Sequence, residues 1–120
     1  MNKCSIKNKR NRISTTQKEK EIKAAIPDRQ SAQNMAGIFK ALGDPGRLQI
    51  VRLLRTGERC AGEIAQILHT DQSTLSHQLK ILKFHGIVLS RKDGKYHRYS
   101  LDNSCVLELL DLMDQHLVNC

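Results

Sequence analysis

No stretch of this sequence approaches the ~20 consecutive apolar residues that cross a bilayer. The basic segment at 1–12 has no apolar run behind it to act as a secretory signal. Both gaps predict a cytoplasmic protein with no membrane contact. Signatures of catalysis are missing as well. There is no His-x-Glu with Cys-x-x-Cys of the zinc-deaminase kind, no Gly-rich phosphate loop and no Ser-His-Asp order, so the chain is expected not to be an enzyme. Cysteine is sparse and scattered, with only Cys4, Cys60, Cys105 and Cys120. That is unlike the dense framework of a small secreted disulfide protein, and in a reducing cytosol these residues are read as thiols, ligands or sensors.

What is present is 120 residues, enough for one domain with a real core and too few for two independent ones. Lys and Arg number 20 against 12 Asp and Glu, a formal net charge of +8, which favours a polyanionic partner. Residues 1–30 carry nine basic and three acidic side chains, net +6, leaving eleven and nine, net +2, for 31–120. Up to about residue 28 the composition is polar, with isolated Ile6, Ile13, Ile22 and Ile26, too little apolar surface to offset chain entropy. Residues 1–28 are therefore read as a flexible basic arm with a helical turn near 17–25, and residues 29–120 as the folded domain.

Within that domain the apolar spacing predicts helices at about 29–42 (Met35, Ile38, Phe39, Leu42), 45–54 (Leu48, Val51, Leu54) and 61–68 (Ile64, Ile67, Leu68). Asp44 is placed to cap the second of these, with Pro45 at its first position. After a break at His69-Thr70-Asp71, a fourth helix carries Leu75, Leu79 and Leu82 on one stripe. Gln72, Ser73, Thr74, Ser76, His77 and Lys80 remain on its other face. Gly86 ends it, and 87–101 reads as a hairpin turning at Asp93-Gly94, with Arg91, Lys92, Lys95 and Arg98 around the tip. A last amphipathic helix at about 103–118 contains no Lys or Arg.

Two short helices joined by a tight turn, the second polar outside and rich in small hydrogen-bonding groups, suit insertion into a major groove. The cationic hairpin that follows can neutralise flanking phosphates. The fold class expected is α+β, mostly α: a winged helix-turn-helix. Gln72, Ser73, Thr74, Ser76, His77, Lys80, Arg91, Lys92, Lys95 and Arg98 are its candidate contacts with double-stranded DNA. A two-fold dimer would present two reading helices to a palindrome, and the last helix has apolar residues at Leu107/Leu110 and at Leu109/Met113, more than one face needs.

The segments ALGDPGRLQIVRLL, GERCAGEIAQIL, STLSHQLKILKFHGIV and RKDGKYHRYSL resemble, in that order, the second helix, third helix, recognition helix and wing of the ArsR/SmtB family of small bacterial repressors. The resemblance covers roughly residues 30–120. It implies a homodimer joined mainly through the helices at 29–42 and 103–118, repressing resistance or transport genes until an inducer binds.

Two sets of residues are candidate metal ligands. Cys60 and Glu63 are i,i+3, and a thiolate with a carboxylate begins a metal site, to which Cys4 can be brought by the arm. The resemblance implies the same grouping, since family members that sense with arm and third helix carry Cys at the position of Cys60 followed by an acid or a second Cys. Gly62 stands where arsenic-type members have that second Cys, and Cys60-Ala61-Gly62-Glu63 is closer to the zinc and cadmium branch. Asn8 occupies the place of a second arm Cys. The alternative for Cys60 is a buried small hydrophobe.

The other set is Cys105, His116 and Cys120. His116 and Cys120 are i,i+4, and the two ends of antiparallel partner helices meet. Zinc sensors of the family carry Asp-x-His near the start of this helix and His-x-x-Glu or His-x-x-His near its end. Here those positions read Asn103-Ser104-Cys105 and His116-Leu117-Val118-Asn119, leaving a soft nitrogen and sulfur set. The inducer expected is a soft divalent metal ion, zinc or cadmium first, with lead, copper(I) and arsenite as further candidates. A thiol-redox or persulfide-responsive repressor of the same family is the alternative. Such members pair cysteines on the second and last helices, and Arg52 occupies the second-helix position. A pure interaction module without a DNA role is the other class considered.

Overall fold

Helix-breaking and capping residues cut this chain into short elements, and the computed structural model, which describes residues 16–118, follows those cuts closely. The chain forms two units, Met1–Asn34 and Met35–Cys120. In the first, α1 (Thr16–Ala25) is a full ten-residue helix rather than the single turn expected. Glu19 in its first turn and Lys23 in its last complement the helix dipole. Asp28 starts α2 (Arg29–Leu42) by accepting the Ser31 N–H at 2.7 Å, which holds its carboxyl below the usual range.

In the second unit Asp44 caps α3 (Pro45–Leu54) as expected. Its Oδ2 accepts the Arg47 N–H at 3.1 Å, and Pro45 opens the helix. α4 (Ala61–Leu68) and α5 (Gln72–Phe84) follow, joined by a turn through His69 at φ 54°. A left-handed residue lets the chain reverse in three positions, a conformation more usual for Gly or Asn.

Three strands make one antiparallel sheet in the order β1 (Arg59–Cys60), β3 (Tyr96–Leu101), β2 (Val88–Asp93). The hairpin is present, but its turn is one residue later than expected. Asp93 pairs with Tyr96, so the two loop residues are Gly94 and Lys95. Gly94 has φ 62°, and Lys95 is not among the residues with positive φ. Glycine at the first loop position with only that residue left-handed is the type II′ pattern, not the type I′ of an Asp-Gly pair.

The last helix is also not uniform. α6 (Ser104–Met113), capped by Asn103 Oδ1 on the Val106 N–H at 3.2 Å, gives way to a π-helical turn over Asp114–Val118. Asp114, where the winding changes, accepts from Arg52 Nη1 at 2.7 Å and from Arg55 Nη1 at 2.9 Å, and Arg55 also pairs with Asp111. The Arg52 position of the redox members thus holds an ion pair between α3 and this turn. The two arginines keep the Asp114 carboxyl below its ordinary range.

Val51, Ile64, Leu75, Leu82, Ile87, Val106 and Leu110 are fully buried and form the centre of the core. The inward stripe of α5 is therefore as the spacing indicated, whereas on α3 Val51 and Leu54 are joined by Ile50 and Leu48 is half-buried. On α4 the stripe narrows: Ile64 is buried, Leu68 half-buried and Ile67 exposed. Met35 and Phe39 of α2 and Met113 of the last helix lie at the surface although their spacing set them on apolar stripes, and Leu112 and Leu117 are exposed as well. An apolar cleft of about 270 Å³ opens between Phe39, Leu42, Gly43, Leu48, Leu109, Leu110 and Met113.

Candidate nucleic-acid interface and sensing residues

The α4–α5 pair positions one polar surface. With Leu75, Leu79 and Leu82 turned into the core, Gln72, Ser73, Thr74, Ser76, His77 and Lys80 are all exposed along α5. The helix begins at Asp71, whose Oδ2 accepts from Ser73 Oγ at 2.9 Å. The Thr74 and Ser73 hydroxyls hold the Asp71 carboxyl below its usual range. Small donors at the first turn of an exposed helix match what reading helices present to base edges and phosphates.

The hairpin brings Arg91, Lys92, Lys95 and Arg98 to one end of the sheet, but not all as unengaged cations. Arg91 donates through Nε and Nη2 to the two carboxylate oxygens of Glu58, both at 2.8 Å. Arg98 Nε donates to Asp93 Oδ2 at 2.9 Å. Both acids were absent from the sequence-based set of site residues. Lys92 and Lys95 are exposed near the tip, Lys95 lying 5.6 Å from the Tyr96 ring centre. Lys83 Nζ, at the end of α5, donates to Ser90 Oγ of β2 at 2.7 Å, joining helix to wing.

Cys60 sits where wing and helix-turn-helix join. It ends β1 opposite Arg98 of β3 and is the N-cap residue of α4. It is half-buried and in no disulfide. Its backbone N–H donates to Glu63 Oε1 at 3.1 Å, so the two are neighbours through a capping box rather than on one helical face. The Cys60 N–H and thiol, followed by Arg59 and Arg98, keep the Glu63 carboxyl below its ordinary range. The resulting group is a thiol and a stabilised carboxylate within reach of the wing. Cys105 and His116 are both exposed at opposite ends of the last helix. Cys4 and Cys120 lie outside the described residues.

Residues 44–90 match the model of the bacterial regulatory protein arsR family. An arsenical resistance operon repressor of Staphylococcus xylosus is 39% identical over 87 residues, 72% of this chain and 80% of that protein. The chain belongs to the arsR family. A cadmium resistance transcriptional regulatory protein CadC homolog of Staphylococcus aureus is 39% identical over 84 residues, covering 69% of each chain. Among solved structures, the homodimeric winged helix-turn-helix DNA-binding domain of a possible ArsR-family regulator from Mycobacterium bovis superposes with a TM-score of 0.67. It shares 35% identity and covers 77% of this chain and 91% of that one.

The arsR family model runs from the cap of α3 to the start of β2, so it matches the helix-turn-helix and the beginning of the wing. The Glu58–Arg91 pair makes a direct prediction. Glu58→Ala removes the acid that holds Arg91 and releases a cation at the wing. Non-specific duplex binding is then expected to strengthen, with the slope of log K against log salt steeper by about 0.9. Anisotropy titrations at several salt concentrations measure that slope, and an unchanged slope would show that Arg91 does not reach phosphate when freed.

Polar residues on the inner edge of α5 escaped the sequence reading. Gln78 is half-buried and bonded to both Asp44 and Arg47. The one signal for it was a long polar side chain directly beside the Leu75, Leu79, Leu82 stripe.

Proposed function

We propose that this protein is a metal-responsive transcriptional repressor that binds double-stranded operator DNA as a homodimer and dissociates when a thiophilic metal ion binds. Residues 1–28 act as the basic arm and 29–120 as the DNA-binding and dimerisation domain of a cytoplasmic regulator. The observation that carries the reading is the unpaired thiol of Cys60, beside Glu63, at the junction of wing and α4. Relatives named for arsenical and cadmium resistance support a metal as the inducer.

Dimerisation is proposed through α2 and the last helix. The exposed Phe39 and Met113 rim an apolar cleft between them, and the Mycobacterium bovis structure is homodimeric. Each copy contributes one α5, giving two reading helices for a palindromic site.

Among the described residues no three His, Cys, Asp or Glu side chains converge on one point. Cys60 and Glu63 fit as half of a mixed sulfur and oxygen set of four, and Cys4 of the arm would add a third donor. Cys105, His116 and Cys120 form the second candidate set, completed across the dimer. Thiolate and imidazole donors favour zinc or cadmium, with lead, copper(I) and arsenite also accommodated. When bound, the metal supplies a cross-link; the chain's own part is to give up the Cys60 thiol proton and release Glu63 from the capping box.

The deciding experiment is a titration of the reduced protein bound to its own promoter fragment, followed by fluorescence anisotropy and by thiolate-to-metal absorption. Release by zinc or cadmium with rising charge-transfer absorbance is the expected result. Release only by an oxidant or a polysulfide would move the assignment to the thiol-redox or persulfide alternative.

A further inference from the structure

The buried stripe of α5 sets which face meets the core, but apolar packing leaves a helix's crossing angle scattered by about 15–20° around its preferred value, which directed polar bonds can narrow. Gln78 supplies direction. Its amide is used at both ends: Nε2 donates to Asp44 Oδ2 at 3.0 Å, and Oε1 accepts from Arg47 Nη1 at 2.9 Å. Asp44 Oδ2 also receives the Arg47 N–H that caps α3. The guanidinium continues the chain of bonds, Nε donating to the Ala41 carbonyl at 2.7 Å and Nη2 to the Lys40 carbonyl at 3.4 Å. One side chain of the reading helix is thereby tied to the start of α3 and the end of α2.

The surroundings are shaped to this bond set. A Cβ at Gly46 would stand 2.9 Å from Gln78 Nε2 and 3.2 Å from Asp44 Oδ2, so glycine there leaves room for the Gln78 amide to reach the Asp44 carboxylate. The backbone N–H of Arg47 keeps the Asp44 carboxyl below its ordinary range, with the Gln78 amide and the Arg47 charge adding to the effect. The acceptor is thus an anion, and hydrogen bonds to charged groups are the stronger kind.

We infer that Gln78 is a positioning residue for operator recognition. It sets the angle of α5 against α2 and α3, so that Gln72, Ser73, Ser76 and His77 meet base edges together. The inference rests on the reading of α5 as the groove-reading helix. Its signature is a loss of discrimination between sequences with the phosphate-driven part of binding intact, because the cations of the wing are elsewhere.

The test uses the full chain and two duplexes of equal length, one carrying its own promoter and one scrambled, by anisotropy at fixed salt. Gln78→Glu sets a carboxylate against Asp44. Promoter affinity is expected to fall about tenfold, with scrambled-duplex affinity and salt slope unchanged. Adding Asp44→Asn keeps an acceptor for the Arg47 N–H and returns a donor to the new carboxylate, so the double variant should recover most of the loss. Recovery of the single variant as pH is lowered toward about 4, where the new carboxyl protonates, is the second readout. Gln78→Met, similar in length and uncharged, should also lose discrimination and covers the case in which Gln78→Glu melts early. Full discrimination by Gln78→Glu or by Gln78→Met, or a double variant no better than the single, overturns the inference. If the unaltered protein itself fails to separate the two duplexes, the reading of α5 falls first and the inference with it.

Discussion

Cys60→Ser protein is expected to bind the promoter duplex as tightly as the parent in metal-free buffer, and to stay bound when zinc or cadmium is added. The structural cost of the change is small. Cys60 is the N-cap residue of α4, a position at which serine is among the favoured residues, and the Cys60 N–H bond to Glu63 Oε1 is made by the backbone. What is lost is the soft donor, because a serine hydroxyl is a poor ligand for thiophilic ions. If metal and DNA oppose each other by a coupling of about 1–3 kcal/mol, the parent loses ~5–150-fold in operator affinity on saturation. The variant should lose nothing. Reciprocity supplies a second check: operator DNA should weaken metal binding to the parent by the same factor. Release of the variant by metal would remove Cys60 from the sensing set and turn attention to Cys105 and His116, whose joint replacement then becomes the informative change.

The largest effect on stability is expected from Leu82→Ala. Leu82 lies on the inner face of α5 with no exposed surface, so truncation loses its burial and leaves a cavity. Such changes cost about 2–5 kcal/mol, a large share of the roughly 5–15 kcal/mol that holds a domain of this kind folded. The urea midpoint should fall steeply, and operator binding should weaken with it as the helix loses its seat. Phe84→Ala two positions later is the control, since Phe84 is 84% exposed and surface changes stay within about 0.5 kcal/mol. A Leu82→Ala midpoint equal to that of the Phe84→Ala protein would contradict the packing described for α5.

Much of the fold was legible because its signals are local. Asp44-Pro45 announced the start of α3, and Gly86 the end of α5, through backbone geometry that depends on those residues alone. The stripe Leu75, Leu79, Leu82 needed only helical spacing to separate a core face from the exposed row of Gln72, Ser73, Thr74, Ser76, His77 and Lys80. β1 was invisible to the same reasoning: two residues, Arg59 and Cys60, are too short to show alternation and are strand only because β3 lies beside them. The hairpin turn was misplaced by one position because Asp-Gly is a strong local preference, while the pairing of Asp93 with Tyr96 fixes a different loop. Met35 and Phe39 carry a core pattern yet are exposed in the single chain, since spacing marks a face as apolar without saying what covers it.

The sequence by itself determined the order of helices, turn and wing, the polar face of α5, and the placing of Cys60 and Glu63 three residues apart at the head of α4. The tertiary structure decided which charges and amides are already engaged. Arg91 meets Glu58 across 33 positions, Gln78 meets Asp44 across 34, and Arg52 meets Asp114 across 62. Periodicity reports how a side chain faces its own helix or strand. Partners this distant along the chain are selected by the packing of whole elements, and no local pattern encodes them.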